Sequence, residues 1–313
     1  MKPTDTRLGP GAEFDLVRRL RARWADLAAG IGDDAAVLRA PRGEKLVLTT
    51  DASIEDVHFR NDWLGWGDIG YRAVTAAISD LAAMAAAPSA VLVSIALSPA
   101  ALDAIDQLAD GIGDAARASG ALIVGGNIAH AAATSITTTA VGATYTPLER
   151  SGARPGDLLY VTGALGGPAA AIRAWRQNRQ PAPELRARFA RPTARVREAR
   201  WLASRGAVAA IDISDGFAAD IGHLAAASDV AIEVQVERIP VFAGATETDA
   251  LGGGEEYELA VFARAPLPEA EFTARFGIPL TLVGRAVEGG TDVRLTRDDE
   301  RVATPKGYDH LSR

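Results

Sequence analysis

Two hydrophobic periods alternate along the chain, and each marks an element. Glu13 to Trp24 puts Phe14, Val17 and Trp24 on one side with arginines between them, the spacing of an amphipathic helix. Lys45 to Asp51 (KLVLTTD) reads as a strand ending in polar residues, Gly67 to Ala86 as a long alanine-rich helix, Ala90 to Leu97 as a strand and Ala100 to Ser119 as a helix. A short strand, Ala121 to Val124, runs into a Gly125-Gly126-Asn127 loop. Thr134 to Tyr145 alternates and is rich in Thr and Val, which predicts a strand. Pro147 to Gly156 (PLERSGARPG) is turn-rich and marks a linker. A second series follows: a strand over Asp157 to Thr162, a helix near Pro168 to Asn178, a proline-punctuated connector over Gln180 to Pro192, and helices near Thr193 to Arg205 and Phe217 to Ser228. Strands are expected near Ala231 to Val236, Glu258 to Ala263 and Leu280 to Arg285. The pattern predicts an α/β protein of the α+β type with two mixed α/β domains, residues 1–147 and 148–313.

Composition narrows the chemistry. There is no cysteine, so disulfides, thiolate metal sites and a cysteine nucleophile are excluded. Four histidines, His58, His130, His223 and His310, make a histidine-rich metal site a poor expectation, so a metal here should be a hard cation held by oxygen. The net charge of −7 disfavours non-specific nucleic-acid binding, which needs a basic face. Met1 to Gly11 has no apolar core of a secretory signal, and the apolar stretch from Ala73 to Leu97 is broken by Asp80 and Pro88, so it reads as helix then strand, not a membrane span. The expected compartment is the cytoplasm. Lysine occurs only at Lys2, Lys45 and Lys306, and none completes a Gly-x-x-x-x-Gly-Lys-Ser/Thr phosphate loop. Gly111-Ile-Gly113-Asp-Ala-Ala116 fits the dinucleotide fingerprint by letters but lies inside a helical pattern and is rejected. Gly163-Ala-Leu-Gly166-Gly167-Pro168 follows a strand and opens a helix; it reads either as an anion cradle or as a structural tight turn.

Acidic residues recur at the ends of apolar segments: Gly32-Asp33-Asp34, Thr49-Thr50-Asp51, Ser79-Asp80, Asp212-Ile-Ser214-Asp215-Gly216 and Gly252-Gly253-Gly254-Glu255-Glu256. Each alone reads equally as a helix cap or a turn. Asp80 stands apart, because a carboxylate among Ala, Ile, Leu and Met should be buried and needs a partner. Taken together, the set suits Mg²⁺, which takes carboxylate and water oxygens with substrate phosphates completing its shell. Metal between carboxylates and phosphates removes their repulsion and offsets charge that develops in phosphoryl transfer. An acidic, lysine-poor chain can therefore still be a kinase.

At these residues the sequence resembles the thiamine-monophosphate kinases, within the aminoimidazole-ribonucleotide-synthetase-like superfamily. The matches are Gly30-Ile-Gly-Asp-Asp34, Thr49-Thr-Asp51, His58-Phe59, Ser79-Asp-Leu-Ala-Ala-Met84, Gly125-Gly126, Arg150-Ser-Gly-Ala-Arg-Pro-Gly-Asp157, Ile211-Asp-Ile-Ser-Asp-Gly216, Gly253-Gly-Glu-Glu-Tyr-Glu-Leu259 and Lys306-Gly-Tyr-Asp-His310, in family order. The resemblance implies a homodimer whose amino-terminal strands form a shared β-barrel, each carboxy-terminal α/β half packing beside it. It implies Asp34, Thr49, Thr50, Asp51, Asp80, Asn127, Asp212 and Asp215 as holders of several Mg²⁺ ions. Gly126, Asn127, Arg150 and Ser214 are then ATP contacts, and His58, Glu255 and Tyr308 contacts to thiamine monophosphate. Arginine suits phosphate, and an aromatic ring can face a cationic heterocycle. His58 reads alternatively as a loop cap and Tyr308 as a packing anchor.

Two positions depart from the family pattern. The usual Gly-Gly-Asp is Gly125-Gly126-Asn127, which keeps an oxygen but loses a charge. The usual Glu-Asp-Tyr-Glu is Glu255-Glu256-Tyr257-Glu258, with an extra methylene at Glu256 that is expected to move the loop. No general base is required, because a phosphate acceptor oxygen is already ionised at neutral pH. Two other readings stay open: another ATPase of the superfamily, of the hydrogenase-maturation or purine-biosynthesis type, and a non-catalytic nucleotide-binding module with Asn127 marking lost chemistry. His58 and the Gly307-Tyr-Asp-His310 tail argue for the thiamine enzyme. The missing cysteine argues against a selenophosphate synthetase.

Overall fold

The computed structural model describes residues 12–28, 31, 38, 42–298 and 300–308. The chain divides into two compact units, one of Met1–Leu81 with Ala86–Tyr145, the other of Ala82–Ala85 with Thr146–Arg313.

In the first unit, strands β1 (Lys45–Ile54), β2 (Ala87–Leu97), β3 (Leu122–His130) and β4 (Ser135–Thr144) form one open sheet in the order β1-β4-β2-β3. β4 runs antiparallel to both β1 and β2, whereas β2 and β3 are parallel. Parallel neighbours need a crossover, and the helices α3 (Pro99–Asp103) and α4 (Ile105–Ser119) supply it. The helix expected over 100–119 is thus two: Ser98 caps α3, with Pro99 at its first turn, and the chain re-enters helix after Ala104. Gly111 and Gly113 lie inside α4, consistent with the helical pattern that excluded the dinucleotide fingerprint.

Helix α1 (Ala12–Trp24) is held to α4: the indole Nε1 of Trp24 donates to Ala109 O at 2.9 Å, and Arg19 and Arg23, one turn apart, pair with Asp106 and Asp110, also one turn apart. Helix α2 (Trp66–Ala83) buries Ile69, Val74, Ala77, Ile78 and Leu81. The loop expected at Gly125–Asn127 is instead the middle of β3, paired with Leu92, Val93 and Ser94. Gly126 is there for close approach: a Cβ on it would sit 1.9 Å from Val93 O.

The period of two along β1 leaves an exposed face. Leu46, Leu48 and Ile54 are 50%, 64% and 40% exposed, and the register puts them on the face that also carries Val141 of β4 and Leu122 of β3. The sheet does not close: the barrel that the resemblance implies is not formed by this chain alone.

In the second unit, strands β5 (Leu158–Thr162), β6 (Ala207–Asp212), β7 (Ala231–Gln235), β8 (Leu259–Ala263), β9 (Leu280–Val287), β10 (Val293–Arg297) and β11 (Glu300–Arg301) form a seven-stranded sheet, ordered β11-β10-β7-β9-β5-β8-β6. Six helices belong to it among the described residues: α5 (Gly167–Arg176), α6 (Pro183–Ala190), α7 (Val196–Ser204), α8 (Phe217–Ser228), α9 (Glu247–Gly252) and α10 (Glu269–Phe276). Leu159, Val161, Ile211 and Phe262 pack with Phe217, Ile221 and Leu224 of α8 and Leu251 of α9. The alternate residues Tyr160, Leu259 and Val261 pack with Trp201 and Leu202 of α7 and Phe272 of α10. With both faces covered, β8 is buried at all five positions. The connector expected over 180–192 holds a helix, α6. Pro183 starts it at a position where a missing N–H costs nothing.

No helix among the described residues is long and apolar enough to cross a membrane. The stretch from Ala73 to Leu97 resolves into the end of α2 and then β2.

Candidate active site

The first group of candidate residues lies where β1 passes α2. Strand alternation turns Thr49 and Asp51 to one face and Thr50 to the other. On the first face the Thr49 hydroxyl donates to Asp80 Oδ2 at 2.5 Å. Asp80 is half-buried, less enclosed than the surrounding apolar run predicts, because α2 presents it at the polar end of β1. Thr138 of β4 stands directly opposite Asp51 in the register, and its fully buried hydroxyl has no hydrogen-bond partner. An orphaned buried hydroxyl costs about 1–3 kcal/mol. A hydrated cation beside Asp51 would give it one. The donors are all hard oxygens, which fits Mg²⁺. Among the described residues no three His, Asp or Glu side chains come together closely enough to hold a metal alone, so water and phosphate oxygens would have to complete any shell. Asp34, the remaining carboxylate expected in this half, lies outside the described residues.

Thr50 faces the other way, its Oγ1 3.2 Å from Thr139 Oγ1. Gly126 and Asn127 are exposed on β3, at the opposite edge of the sheet from β1. Three strand spacings, about 14 Å, separate those edges. Within one chain the sheet therefore does not bring Asn127 to Thr49 and Asp51. His58 is fixed by the turn after β1: its Nδ1 accepts from Ile54 N at 3.1 Å, and its backbone N–H donates to Ile54 O. That is the loop-cap arrangement, and it places the proton of the neutral ring on Nε2.

The second group lies on the loop between β6 and α8. Asp212 ends β6, nearly buried, and Ser214 and Asp215 follow, half-buried. Asp220, inside α8 and 2% exposed, reaches back over this loop. Its Oδ2 accepts the backbone N–H groups of Ser214, Asp215 and Gly216 at 3.0, 3.1 and 3.0 Å. Burial, with the Asp212 charge adding to it, pushes the Asp220 carboxyl up to about 7. The sequence reading did not single out Asp220. The signal was present: it is a carboxylate in an apolar helical stretch, the same mark that drew attention to Asp80.

Segment 253–258 lies along the same loop. Glu255 N donates to Ser214 O, Glu256 N and Tyr257 N donate to Ile213 O, and Ile213 N donates to Glu258 O. Glu255 and Tyr257 take left-handed backbone angles, φ 67° and 54°, and the Tyr257 hydroxyl donates to Glu255 Oε2 at 2.7 Å. Strain of this kind gathers at functional sites. Tyr308, about half exposed, is anchored through its N–H to Asp215 O at 2.9 Å. Arg150 is exposed, and its carbonyl accepts from the Ser228 hydroxyl at the end of α8.

The glycine turn after β5 does hold an acceptor group, and it is a carboxyl of the protein's own. Gly166 N, at the start of α5, donates to Glu256 Oε1. Glu256 is fully buried, with Arg188 of α6 3.6 Å from its Oε2, and burial pushes its carboxyl up to about 8. Glu258 is enclosed as well, but differently. Burial alone would raise it, yet the guanidinium groups of Arg188 at 2.6 Å and Arg195 at 2.5 Å, with the Thr162 hydroxyl at 2.6 Å, hold it below the ordinary carboxylate range.

Comparison with known proteins is consistent with this picture. Residues 32–144 match the family AIR synthase related protein, N-terminal domain, and residues 154–296 match AIR synthase related protein, C-terminal domain. The chain is 35% identical to a thiamine-monophosphate kinase of Rhodopirellula baltica, over 95% of this chain and 97% of that protein. It is 34% identical to the crystal structure of the thiamine-monophosphate kinase of Stenotrophomonas maltophilia, with a TM-score of 0.81 over 93% of this chain and 98% of that one. A third similar structure is AaThiL complexed with AMPPCP and TMP, at 30% identity and a TM-score of 0.76, covering 98% of this chain and 100% of that one.

The buried Glu256 carries a pH signature. A carboxyl whose folded pKa is raised stabilises the fold fully below its ordinary range and loses that contribution as pH climbs through about 8. Glu256→Gln, which mimics the protonated form, should melt close to the parent near pH 5 and above it near pH 9. The stability gap should widen by on the order of 3 kcal/mol between those limits. Melting curves across that range check it; a gap that stays constant or narrows refutes the assignment.

Proposed function

The chain belongs to the thiamine-monophosphate kinase family of AIR-synthase-related proteins, and from that premise we propose that it transfers the γ-phosphoryl group of ATP directly to the phosphate of thiamine monophosphate, giving thiamine diphosphate and ADP. The observation that carries the reading in this chain is the Thr49–Asp80 contact on the Asp51 face, an oxygen-donor site facing an orphaned hydroxyl at Thr138. The ligands named for AaThiL, AMPPCP and TMP, point the same way.

Asp34, Thr49, Thr50, Asp51, Asp80, Asn127, Asp212 and Asp215 would hold Mg²⁺, whose charge offsets the repulsion between two phosphates and among the carboxylates that face them. Gly126, Asn127, Arg150 and Ser214 would bind the nucleotide. His58, Glu255 and Tyr308 would orient thiamine monophosphate. The residues of this chain then have three tasks: to bind the two phosphates, to align them, and to keep water from the transferring group. None needs to take a proton, since the acceptor oxygen is already ionised. Residues 1–147 would form the nucleotide-binding and dimerisation domain and 148–313 the second α/β domain, in an enzyme that works in the cytoplasm, where ATP is supplied.

Assembly as a homodimer belongs to the same proposal. The exposed Leu46, Leu48 and Ile54 give β1 an apolar face that a second copy would cover. Sheet order supports it too. Asn127 and the Thr49–Asp51 group sit on opposite edges of one sheet, so a single nucleotide site that used both would draw one from the partner.

Three outcomes test these points. With ATP and Mg²⁺, the protein should convert thiamine monophosphate to thiamine diphosphate and leave free thiamine unphosphorylated; phosphorylation of free thiamine alone would overturn the acceptor assignment. Asp80→Asn should lower turnover at least about tenfold and raise the Mg²⁺ concentration for half activity, while the metal-free protein melts no lower, since carboxylates gathered for metal repel one another without it. Unchanged turnover and Mg²⁺ dependence would reject the metal role. Leu48→Glu should give a monomeric mass by light scattering at micromolar concentration with activity lost; an unchanged mass would remove β1 from the interface.

A further inference from the structure

Asp220 belongs to none of the assigned contacts, yet it is the residue on which most of the second group converges. Helix α8 begins at Phe217, so the N–H groups just before and at its start have no partner within the helix. A cap from outside the helix normally satisfies one of them. Here one oxygen, from within the helix, takes three in a row: Ser214, Asp215 and Gly216. Three consecutive peptide planes are thereby fixed relative to α8. Stability alone is poorly served by this arrangement, since it buries a carboxylate close to Asp212 and Asp215.

The hold extends to the end of the described chain. Asp215, whose N–H is gripped by Asp220, offers its carbonyl to Tyr308 N. The residue before, Gly307, lies flat on the first turn of α8. A Cβ there would sit 2.4 Å from Ala219 Cβ and 2.9 Å from Asp215 O, so only glycine lets the tail seat on this loop. Pro305 and Lys306 flank Gly252 on the other side.

We propose that Asp220 is the positioning residue of the site, setting the loop that presents Ser214 and Asp215 to the nucleotide and, through the Asp215 carbonyl, the tail that presents Tyr308 to the phosphate acceptor. The inference rests on the functional reading above and deepens it: the two substrates meet the protein on segments that share one anchor, so disturbing the anchor affects both and disturbing the tail affects one.

The test compares Asp220→Ala, Asp220→Asn and Gly307→Ala. Asp220→Ala removes the acceptor and should raise KM for ATP and KM for thiamine monophosphate by about tenfold each, and shrink the melting shift produced by Mg²⁺ with AMPPCP. Asp220→Asn keeps an oxygen acceptor while losing the charge, and should recover most of both KM values and of the shift. Gly307→Ala should raise KM for thiamine monophosphate alone, leaving KM for ATP and the AMPPCP shift near the parent values. A residue that only stabilises the fold would lower the melting temperature without this split. Parent-like KM values in Asp220→Ala overturn the proposal, as does an Asn variant as impaired as the Ala variant. Should Asp220→Ala fail to fold, Gly307→Ala with an unchanged KM for thiamine monophosphate overturns the link to the tail. If the parent protein makes no thiamine diphosphate, the functional reading fails by itself, and the AMPPCP shift in the Asp220 variants still decides whether Asp220 sets the nucleotide loop.

Discussion

Burying Glu258 completely would be ruinous for a lone carboxylate, and the second unit is arranged so that it is not alone. Arg195 approaches it in a two-pronged fashion through Nε and Nη2, Arg188 adds a third contact, and Thr162 closes a fourth. The gain from such a pair is uncertain in sign against an apolar core, but removing one partner strands a buried charge and costs roughly 3–5 kcal/mol. The constraint therefore acts on geometry. It ties the end of β5, the start of β8, helix α6 and the entry to α7 to one point, because each supplies a group that Glu258 cannot lose. Thr162 serves twice, since its oxygen also accepts Leu259 N at 2.9 Å.

From that point the constraint runs outward along the chain. With Glu258 fixed, Glu256 two residues earlier falls at the start of α5 and takes up Gly166 N. Tyr257, between the two, and Glu255, just before them, take left-handed backbone angles. Their N–H groups donate to the carbonyls of Ile213 and Ser214, which ties the loop after β6 to this segment. Asp220 grips that loop from the helix side. The loop is thus held on one flank by the backbone N–H groups of 255–257 and on the other by the buried Asp220 carboxyl.

What could be read from the sequence follows from this division. Long periodic segments were legible: the bounds of α8 coincide with the expected Phe217–Ser228, and β1, β2, β4 and β5 fall within a few residues of their expected spans. The connector over 180–192 was not, because prolines with several arginines signal a solvated link. Nothing local reveals that Arg188 turns inward to meet a glutamate seventy residues on. β3 was cut short for a similar reason: two glycines are ordinary turn residues, and only the pairing with β2, with Val93 pressed against Gly126, shows that they continue a strand. Candidate ligands were legible as residue types, since an acidic residue at the end of an apolar run is visible in one dimension. Their grouping was not. Alternation on β1 parts Thr50 from Thr49 and Asp51, and sheet order parts Asn127 from all three.

That separation bears on how an acidic chain can take up a polyphosphate. Were all the carboxylates gathered in one place, their mutual repulsion would oppose folding before any ligand arrived, and burial would drive some of them neutral. Among the described residues of the first unit, the Thr49 hydroxyl donates a hydrogen bond to Asp80, and the residue opposite Asp51 is the uncharged Thr138. In the second unit three backbone N–H groups donate to Asp220, which offsets part of its burial beside Asp212 and Asp215. Hydroxyls and amides thus stand between the carboxylates as spacers. Donors of this kind lower the cost of holding an acidic group in the empty protein, and the repulsion that remains, as between Asp220 and Asp212, is what added positive charge would relieve.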